Sequence, residues 1–402
     1  MNQSSSFCMR IQARRQAGLS LIELMIGLTI GLMLTLGLFT LIAGQSTTFK
    51  TQDDFARMQE NATSALRYIG DSIRMAGFYG FTQDPAAISL TAGAVSTSAD
   101  CGSSTNYVDG AVSGLLNGTY EAGEEVNWAL RTQVAISGWS GLTPASVNGI
   151  YPCIRAANFA TGPGANPNPI LVTRLAGGYS MPDPNADGDF TDGIAAQTNS
   201  ATTIYIQADP NAGLMFYGAN FAALRAAGTT RSTSTGADLP VYEFKAYVYY
   251  LRPCSRTATP PSCAATDDNG QPIPTLVRQE LVGRAMTEIP LVEGVERIDY
   301  RYGIDDQPAV NPVGGGVGDG VPDRFIASPA ATDWPNVVSV KVSVLVRSPT
   351  ITAGYSDAGK TYDLDGDGNS DFACAAGVNC MYKRKVFSQT FQVRNRAQRR
   401  GI

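Results

Sequence analysis

The chain has 402 residues, of which 44% are hydrophobic and only 16% charged, and its formal net charge is −5. This acidic balance argues against a general nucleic-acid-binding protein, whose affinity comes from lysine and arginine neutralising phosphates. The chain contains no histidine, which excludes Ser-His and Cys-His nucleophile pairs and His-ligated zinc. Its serines lie in low-complexity stretches without a nucleophile elbow. The sequence therefore predicts a protein that is not an enzyme.

The N-terminal part of the chain separates positive charge from apolar residues. Residues 1–18 carry three arginines and no acid, and residues 19–44 form an apolar run whose only charge is Glu23. A helix of that length measures about 39 Å, more than the ~30 Å hydrocarbon core of a bilayer. The run is also longer than the ~7–15 apolar residues of a secretory signal. The run therefore predicts a single membrane-spanning helix. Because positive charge favours the cytoplasmic side, residues 1–18 are expected in the cytoplasm and the chain after residue 45 outside the cytoplasm.

Glu23 is the unusual residue of this run. An ionised carboxylate inside a spanning helix costs about 2.5–3.5 kcal/mol on insertion scales, so a cationic partner is expected. The run itself offers no lysine or arginine. The expected partner is an α-amino group created by proteolysis, on this chain or a neighbouring one. The alternative is an interfacial acid that reaches the lipid headgroups.

The residues around this acid resemble a known processing signal. The sequence GLSLIE at residues 18–23, after a basic leader and before about twenty apolar residues, resembles the class III signal of type IV prepilins and pseudopilins. The resemblance implies that a prepilin peptidase cuts after Gly18 and methylates the new amine of Leu19, where the family usually has phenylalanine. It also implies that Glu23 pairs with the amine of a neighbouring subunit during assembly.

The pattern along the chain predicts an α+β fold, in which a long N-terminal helix packs on an antiparallel β-sheet that carries a large loop-rich insertion. The resemblance implies that this fold is type IV pilin-like. Apolar residues three or four positions apart continue the helix as far as Ala76, with no proline between residues 19 and 84. That apolar stripe consists of Phe55, Met58, Ala62, Leu66, Ile69, Ile73 and Ala76. The predicted segments are a basic leader that is removed (1–18), a transmembrane or filament-core helix half (19–44), an amphipathic helix half (45–81), a loop-rich Gly/Ala/Ser/Thr insertion with short strands (82–240), and an antiparallel sheet with disulfide loops and a basic tail (241–402).

Strand predictions rest on alternating or continuous apolar runs. In the insertion they cover 128–137, 170–175 and 202–207. From residue 241 onward the alternation is clearer, and the predicted strands are 242–250, 276–282, 295–302, 338–346 and 386–393. These last five are predicted to form one antiparallel sheet.

The cysteines support the predicted cut. Cleavage after Gly18 removes Cys8 and leaves an even number of cysteines on the extracytoplasmic side, where disulfides persist. Fifteen pairings of six cysteines exist, and nearest-neighbour spacing favours Cys254 with Cys263 and Cys374 with Cys380, which leaves Cys101 with Cys153. No CxxC pair or histidine is present to complete a zinc site.

Two Asp-rich segments are candidate calcium loops. Oxygen side chains at alternate positions with glycine at the bend match the first half of a calcium loop. In both segments the twelfth position, where a bidentate Glu is expected, carries another residue, Cys374 or Ile194. The alternative is a hydrated Asp/Gly turn. The candidate ligands are Asp363, Asp365, Asp367, Asn369 and Asp371 in one loop, and Asp183, Asn185, Asp187 and Asp189 in the other.

The overall size and the C-terminal third of the chain are similar to the PilW-type minor pilins. The resemblance implies a minor pilin that helps to prime type IV pilus assembly at or near the pilus tip and supports twitching motility and adhesion. The implied partners are other minor pilins, the major pilin, a large tip adhesin and the prepilin peptidase. The chain is expected first in the inner membrane with its C-terminal part in the periplasm, then in the pilus on the cell surface. The alternatives are a minor pseudopilin of a type II secretion system and a membrane-anchored calcium-binding surface protein.

Overall fold

The computed structural model describes residues 18, 20–82, 85–90, 130, 132–144, 146–147, 153–160, 168–257, 262–283, 285–306, 318–330, 332–374 and 377–400. The chain divides into two compact units, residues 1–55 and 56–402. Helix α1 spans Leu21–Met75, and its 55 residues match the long N-terminal helix predicted from the sequence. The absence of proline and the abundance of leucine, methionine and alanine explain its length.

The end of α1 is fixed by groups that are distant in sequence. Gly77 has a φ of +76°, a conformation that glycine adopts without strain and that commonly terminates helices. Its N–H donates to the carbonyl oxygen of Arg174 at 2.9 Å. The side-chain amide of Asn395 donates to the carbonyl oxygens of Met75 and Ala76 at 3.4 and 3.3 Å. The Asn395 amide thereby satisfies carbonyls that a helix end leaves without an intrahelical partner.

In the second unit α1 buries one stripe. Six of the seven residues predicted for this stripe are buried there, and the seventh, Phe55, is 43% exposed and is the last residue of the first unit. The stripe shares a core with strands of both larger sheets, including Tyr249, Leu251, Ile298 and Val342. Packing of this stripe, rather than helix propensity alone, stabilises a helix of this kind.

The largest sheet has eight strands and is mostly antiparallel, in the order β1-β5-β4-β6-β3-β2 with β7 and β8 following from β6. Only the β1–β5 pair is parallel among the described pairs of this sheet. Its strands are β1 (Ile88–Leu90), β2 (Ile136–Trp139), β3 (Ile170–Ser180), β4 (Ile204–Ala208), β5 (Gly213–Tyr217), β6 (Val241–Arg252), β7 (Thr275–Val282) and β8 (Ala285–Glu293).

Two further sheets follow. A four-stranded antiparallel sheet has the order β10-β9-β11-β14, and a two-stranded sheet pairs β12 with β13. Their strands are β9 (Val295–Ile304), β10 (Arg324–Ile326), β11 (Val337–Arg347), β12 (Thr361–Tyr362), β13 (Phe372–Ala373) and β14 (Arg384–Gln392). Short helices connect the strands: α2 (Thr191–Ala195), α3 (Phe221–Ala226), α4 (Asp267–Gly270) and, at the C-terminus, α5 (Arg394–Arg400).

The described strands differ from the predicted arrangement in one respect. The sequence predicts a single sheet after residue 241 and a separate loop-rich insertion before it. Instead, β3 and β4 from the predicted insertion pair with β6, while β9, β11 and β14 form a different sheet. Part of the predicted strand 128–137 lies outside the described residues. Pairing between strands far apart in sequence has no local signal, which explains the difference.

From Tyr247 to Leu251 strand β6 is apolar on both faces, because this part lies between two cores. Tyr242, Phe244 and the alternate residues that follow belong to one cluster, together with Ile170 and Ile204. Tyr249 and Leu251 belong to the core that contains the α1 stripe. Since side chains alternate across a strand, one strand contributes to both clusters.

The contact between α1 and β14 leads to a prediction at Gly70. A Cβ atom added there would overlap the ring of Phe391, which is 2% exposed and lies under the guanidinium of Arg74. Overpacking costs about 1–3 kcal/mol, more than the ~1 kcal/mol that alanine gains over glycine in a helix. We therefore expect Gly70→Ala to lower the free energy of unfolding, measured by denaturant unfolding.

A double-mutant cycle with Phe391→Leu provides the control. Removing the ring should make Gly70→Ala less costly than in the wild type. An equal cost in both backgrounds would show that the overlap with Phe391 is not the cause.

Candidate functional site

The N-terminal site lies at the start of α1. Gly18 is exposed, Leu19 lies outside the described residues, and Glu23 occupies the first turn of the helix. The Glu23 N–H donates to the carbonyl oxygen of Ser20 at 3.0 Å. A carboxylate in the first turn is favoured by the partial positive charge of the helix N-terminus. The geometry places an acid directly after the predicted cut.

The apolar segment that follows is exposed. In the part of the chain that the structure describes, one helical segment is long and apolar enough to cross a membrane, Leu21–Ile42. Its mean hydropathy is 2.2. At about 1.5 Å per residue this segment is roughly 33 Å long. Its large side chains are exposed, for example Leu21 at 78% and Met33 at 74%. A surface of this kind fits burial in lipid or among other apolar helices.

The described cysteines of the second unit form disulfides. Cys254 is joined to Cys263 and Cys374 to Cys380, with Cα atoms 5.8 and 5.3 Å apart. These are the two pairs that spacing favours. Cys153 is also disulfide-bonded. Its predicted partner, Cys101, lies outside the described residues, so that pairing stays a prediction.

The first Asp-rich loop connects β12 to β13 and brings three acids together. Asp363, Asp365 and Asp371 each place a carboxylate oxygen within 4.8 Å of the others. Asp367 and Asn369 stay at the exposed tip, where the side-chain hydrogen bond with Asn369 lowers the pKa of Asp367. The donor set, three carboxylates with hard oxygen atoms, fits calcium.

Other groups already contact these acids. Asp365 forms an ion pair with Arg301, and its main-chain oxygen accepts a hydrogen bond from Lys341 Nζ at 2.8 Å. Asp371 Oδ2 accepts the N–H of Leu364 at 2.7 Å. Cys374, at the twelfth position, is disulfide-bonded and supplies no thiolate ligand. A calcium ion would have to compete with Arg301 for Asp365.

The second Asp-rich loop precedes α2 and has a different geometry. Asp183 Oδ2 accepts the N–H of Gly188 at 2.9 Å, and Asn185 Nδ2 donates to Asp192 Oδ2 at 2.9 Å. No three acids of this described loop converge as those of the first loop do. Arg225 lies 3.2 Å from Asp189. Burial alone would raise the pKa of Asp189, but hydrogen bonds from Thr191 and the charge of Arg225 lower it overall.

A buried ion cluster joins Arg384 of β14 to Glu296 of β9 and to Asp357, which precedes β12. The sequence analysis did not predict this cluster. Arg384, whose side chain is 0% exposed, contacts Glu296 through Nε and Nη2 at 2.5 and 3.0 Å and Asp357 through Nη1 at 3.2 Å. Tyr362 and Tyr355 donate their hydroxyl groups to Asp357 at 2.8 Å. In the sequence Arg384 stands in the polar run Tyr-Lys-Arg-Lys, which gives no sign of burial.

The acid in this cluster predicts a pH dependence of stability. Burial alone would raise the pKa of Asp357, but hydrogen bonds from Tyr362, Tyr355 and other donors lower it overall. A lowered pKa stabilises the fold above the unfolded value of about 3.9, and this contribution is lost as the pH falls below it. Between pH 5 and pH 3 the melting temperature of the wild type should fall, and we expect it to fall less in Asp357→Asn. An acid profile identical to the wild type would contradict this role.

Two family models match the chain. The model described as type IV pilus-assembly protein W matches residues 262–395, and the model of the prokaryotic N-terminal methylation motif matches residues 13–39. Together the two matches support a PilW-type, pilin-like protein. Neither the comparison with curated proteins nor that with solved structures finds a match.

The two matches cover the sites described above. The methylation motif contains Gly18, Leu19 and Glu23. The PilW match contains all four strands of the four-stranded sheet, the Asp363–Asp371 loop and the buried Arg384 cluster. The two matches support a role in type IV pilus assembly, and the apolar N-terminal helix fits membrane anchoring.

Proposed function

We propose that this protein is a minor pilin that helps to prime type IV pilus assembly, sits at or near the pilus tip and supports twitching motility and adhesion. One observation carries the proposal: an exposed, membrane-length apolar helix follows a methylation motif in a chain whose C-terminal third matches a pilus-assembly family. After cleavage behind Gly18 the mature chain has 384 residues and a net charge of −8. A chain of that size would crowd a repeating shaft and suits a terminal subunit.

The physical route to assembly follows from the N-terminal residues. Before assembly the apolar helix rests in the inner membrane, with the second unit on the periplasmic side. The helix leaves lipid when it can bury its side chains among the helices of other subunits. Glu23 then exchanges an isolated charge in an apolar medium for a pair with the Leu19 amine of a neighbouring subunit, which sets the axial register. The proposed partners are other minor pilins, the major pilin, a tip adhesin and the prepilin peptidase.

A clean deletion in the source bacterium tests this proposal. Surface pili are counted by microscopy, and type II secretion into the medium is measured in the same strains. Lost or sparse pili with intact secretion, restored by the wild-type gene, are the expected result. Normal pili with blocked secretion would make the protein a minor pseudopilin. No change in either would favour a surface protein without an assembly role.

We also propose that the Asp363–Asp371 loop binds calcium, with Asp363, Asp365 and Asp371 as ligands. Calcium loops outside the cell bind at about 10⁻⁴–10⁻³ M. At a calcium concentration about 100-fold above the Kd, stabilisation of the folded state is about 2.7 kcal/mol. The expected result is a higher melting temperature in calcium than in magnesium.

Asp363→Asn should abolish this calcium effect, because it removes a charged ligand and keeps the size of the side chain. Asp319→Asn, in an exposed turn elsewhere in the second unit, is the control and should keep the effect. A wild-type melting temperature that does not change with calcium would mean that Arg301 and Lys341 hold the loop without an ion. The second loop, Asp183–Asp189, stays a prediction.

A further inference from the structure

An open pocket lies where the chain after β6, helix α4 and the end of β8 come together. Ser255 and Arg256 follow β6, Asn269 belongs to α4, and Glu293 is the last residue of β8. The volume of the pocket is about 460 Å³, which lies within the ~300–1,000 Å³ of small-molecule sites. None of the described residues that line it belongs to the N-terminal site or to either Asp-rich loop.

The walls of this pocket are held by a disulfide and by hydrogen bonds. The Cys254–Cys263 disulfide closes the connection that follows β6. The carboxylate of Asp268 accepts the N–H of Ser255 at 2.8 Å and that of Ile273 at 2.9 Å. One side chain of α4 therefore joins the segments before and after this helix. Because these walls are already fixed, little reordering is needed when a ligand binds.

Helix α4 carries an exposed amide in an uncommon backbone conformation. Asp268, Asn269 and Gly270 have φ values of +50°, +61° and +75°, all in the left-handed region. Asn269 is exposed, and its side-chain amide makes no hydrogen bond with the described residues. Strained residues of this kind cluster at functional sites. The amide offers two donors and one acceptor to the pocket.

The other polar groups of the pocket supply donors, acceptors and charges of both signs. The guanidinium of Arg256 is exposed and forms no ion pair with the described residues. Glu293 accepts the hydroxyl of Ser255 through Oε1, so its Oε2 is available as an acceptor among the described contacts. Thr257 and Thr266 also line the pocket and add hydroxyl groups. Since opposite charges face the pocket, the lining favours neither a cation nor an anion.

These groups favour a small neutral ligand with several hydroxyl groups. A hydroxyl both donates and accepts, so neighbouring hydroxyls can bond to an amide, a guanidinium and a carboxylate oxygen at once. Ile273 is the apolar side chain of the described lining, and it can contact the C–H groups on one face of a sugar ring. A protein side chain used as an anchor would need a more apolar pocket.

We propose that this pocket binds one neutral hexose unit, supplied by a free sugar or by the end of a glycan chain. The hydroxyl groups of the hexose bond to the Asn269 amide, the Arg256 guanidinium and Glu293 Oε2, and its C–H face lies against Ile273. Binding of a free sugar does not depend on the proposed function as a minor pilin. Capture of a glycan by the cell rests on that function, because it requires the second unit to be displayed at the cell surface.

Ligand-observed NMR titration of the full-length chain, in a detergent without a sugar headgroup, tests binding directly. The probes are the methyl α-glycosides of glucose, mannose and galactose; mannose and galactose each differ from glucose in the direction of one hydroxyl group. We expect a millimolar Kd for at least one of them. Cyclohexanol, which has a ring of the same size with a single hydroxyl, should bind at least tenfold more weakly, because a site built to bond several hydroxyls rejects an analogue that lacks them.

Two variants connect this binding to the pocket. Asn269→Gly removes the amide, and because glycine adopts a positive φ without strain, the variant should melt no lower than the wild type. Arg256→Met removes the exposed guanidinium and keeps an unbranched side chain. Each variant should weaken hexose binding at least fivefold, since hydroxyl groups of the ligand lose their partners.

Asn199→Gly is the matched control for Asn269→Gly. Asn199 is exposed, has a φ of +59° and does not line the pocket. It should leave the Kd of the hexose unchanged. An equal loss of binding in both glycine variants would contradict a contact between Asn269 and the ligand.

Adhesion of whole cells distinguishes the two sources of the hexose. Polystyrene beads that carry the best-binding glycoside should retain cells with the wild-type protein more than cells with Asn269→Gly if the ligand is the end of a glycan. Binding in solution without such a difference assigns the pocket to a free sugar, whether or not the protein acts in pili. If none of the three glycosides binds better than cyclohexanol, or if binding is unchanged in both Asn269→Gly and Arg256→Met, the proposal is wrong.

Discussion

We expect Arg384→Met to lower the free energy of unfolding by about 3–5 kcal/mol, because removing one partner of a buried ion cluster leaves uncompensated charge. Arg384 and Asp357 have side chains that are 0% exposed, and that of Glu296 is 7% exposed. Methionine fills much of the same volume but donates no hydrogen bond to either carboxylate. The measurement is denaturant unfolding of the purified protein at pH 7.

Arg324→Met is the matched control for this substitution. Arg324 also contacts two carboxylates, those of Asp306 at 2.9 Å and Asp333 at 3.0 Å, but its side chain is 42% exposed. Exposed pairs contribute about 0–1 kcal/mol, so the control should unfold almost as the wild type does. Equal effects of the two substitutions would show that burial of the Arg384 cluster does not determine its contribution.

We expect Glu23→Gln to remove the protein from assembled pili while leaving it in the membrane. Glutamine keeps the size of the side chain. Because it is neutral, it does not carry the cost of about 2.5–3.5 kcal/mol for placing a charge in an apolar medium. It therefore does not weaken anchoring, but it cannot form an ion pair with the amine of a neighbouring subunit. The measurement is quantitative immunoblotting of membrane and sheared-pilus fractions, with an expected loss of at least tenfold from the pili.

Glu60→Gln is the control for Glu23→Gln, because Glu60 is an exposed acid of the same helix in the second unit. It should leave both fractions unchanged. Normal amounts of the Glu23→Gln protein in sheared pili would contradict a role for Glu23 in assembly.

The features that were predictable from the sequence depend on neighbours along the chain. The spacing of Met58, Ala62 and Leu66 defines a helix stripe, and all three are buried. Apolar residues at every second position of β6, from Tyr242 to Tyr250, predict a strand, and in the structure they share one core cluster. The short separations of Cys254 from Cys263 and of Cys374 from Cys380 favour the two disulfides that form.

The remaining features depend on contacts between distant parts of the chain. Arg384 meets Glu296 across 88 positions, and Asn395 contacts the end of α1 across 320 positions. Neither residue differs in sequence context from an exposed polar residue. Arg297 looks like an ordinary strand residue in the sequence, but it is 4% exposed and its Nη2 lies 3.5 Å from the main-chain oxygen of Asp371. The division of the strands into two larger sheets escapes prediction for the same reason.

The central claim, that this protein is processed at Gly18 and enters the pilus, is tested most directly by mass spectrometry of sheared pili from the source bacterium. Peptides of this chain are expected in the pilus fraction, and its N-terminal peptide is expected to begin with an N-methylated Leu19. A chain that keeps residues 1–18 and is found only in the membrane fraction would contradict it.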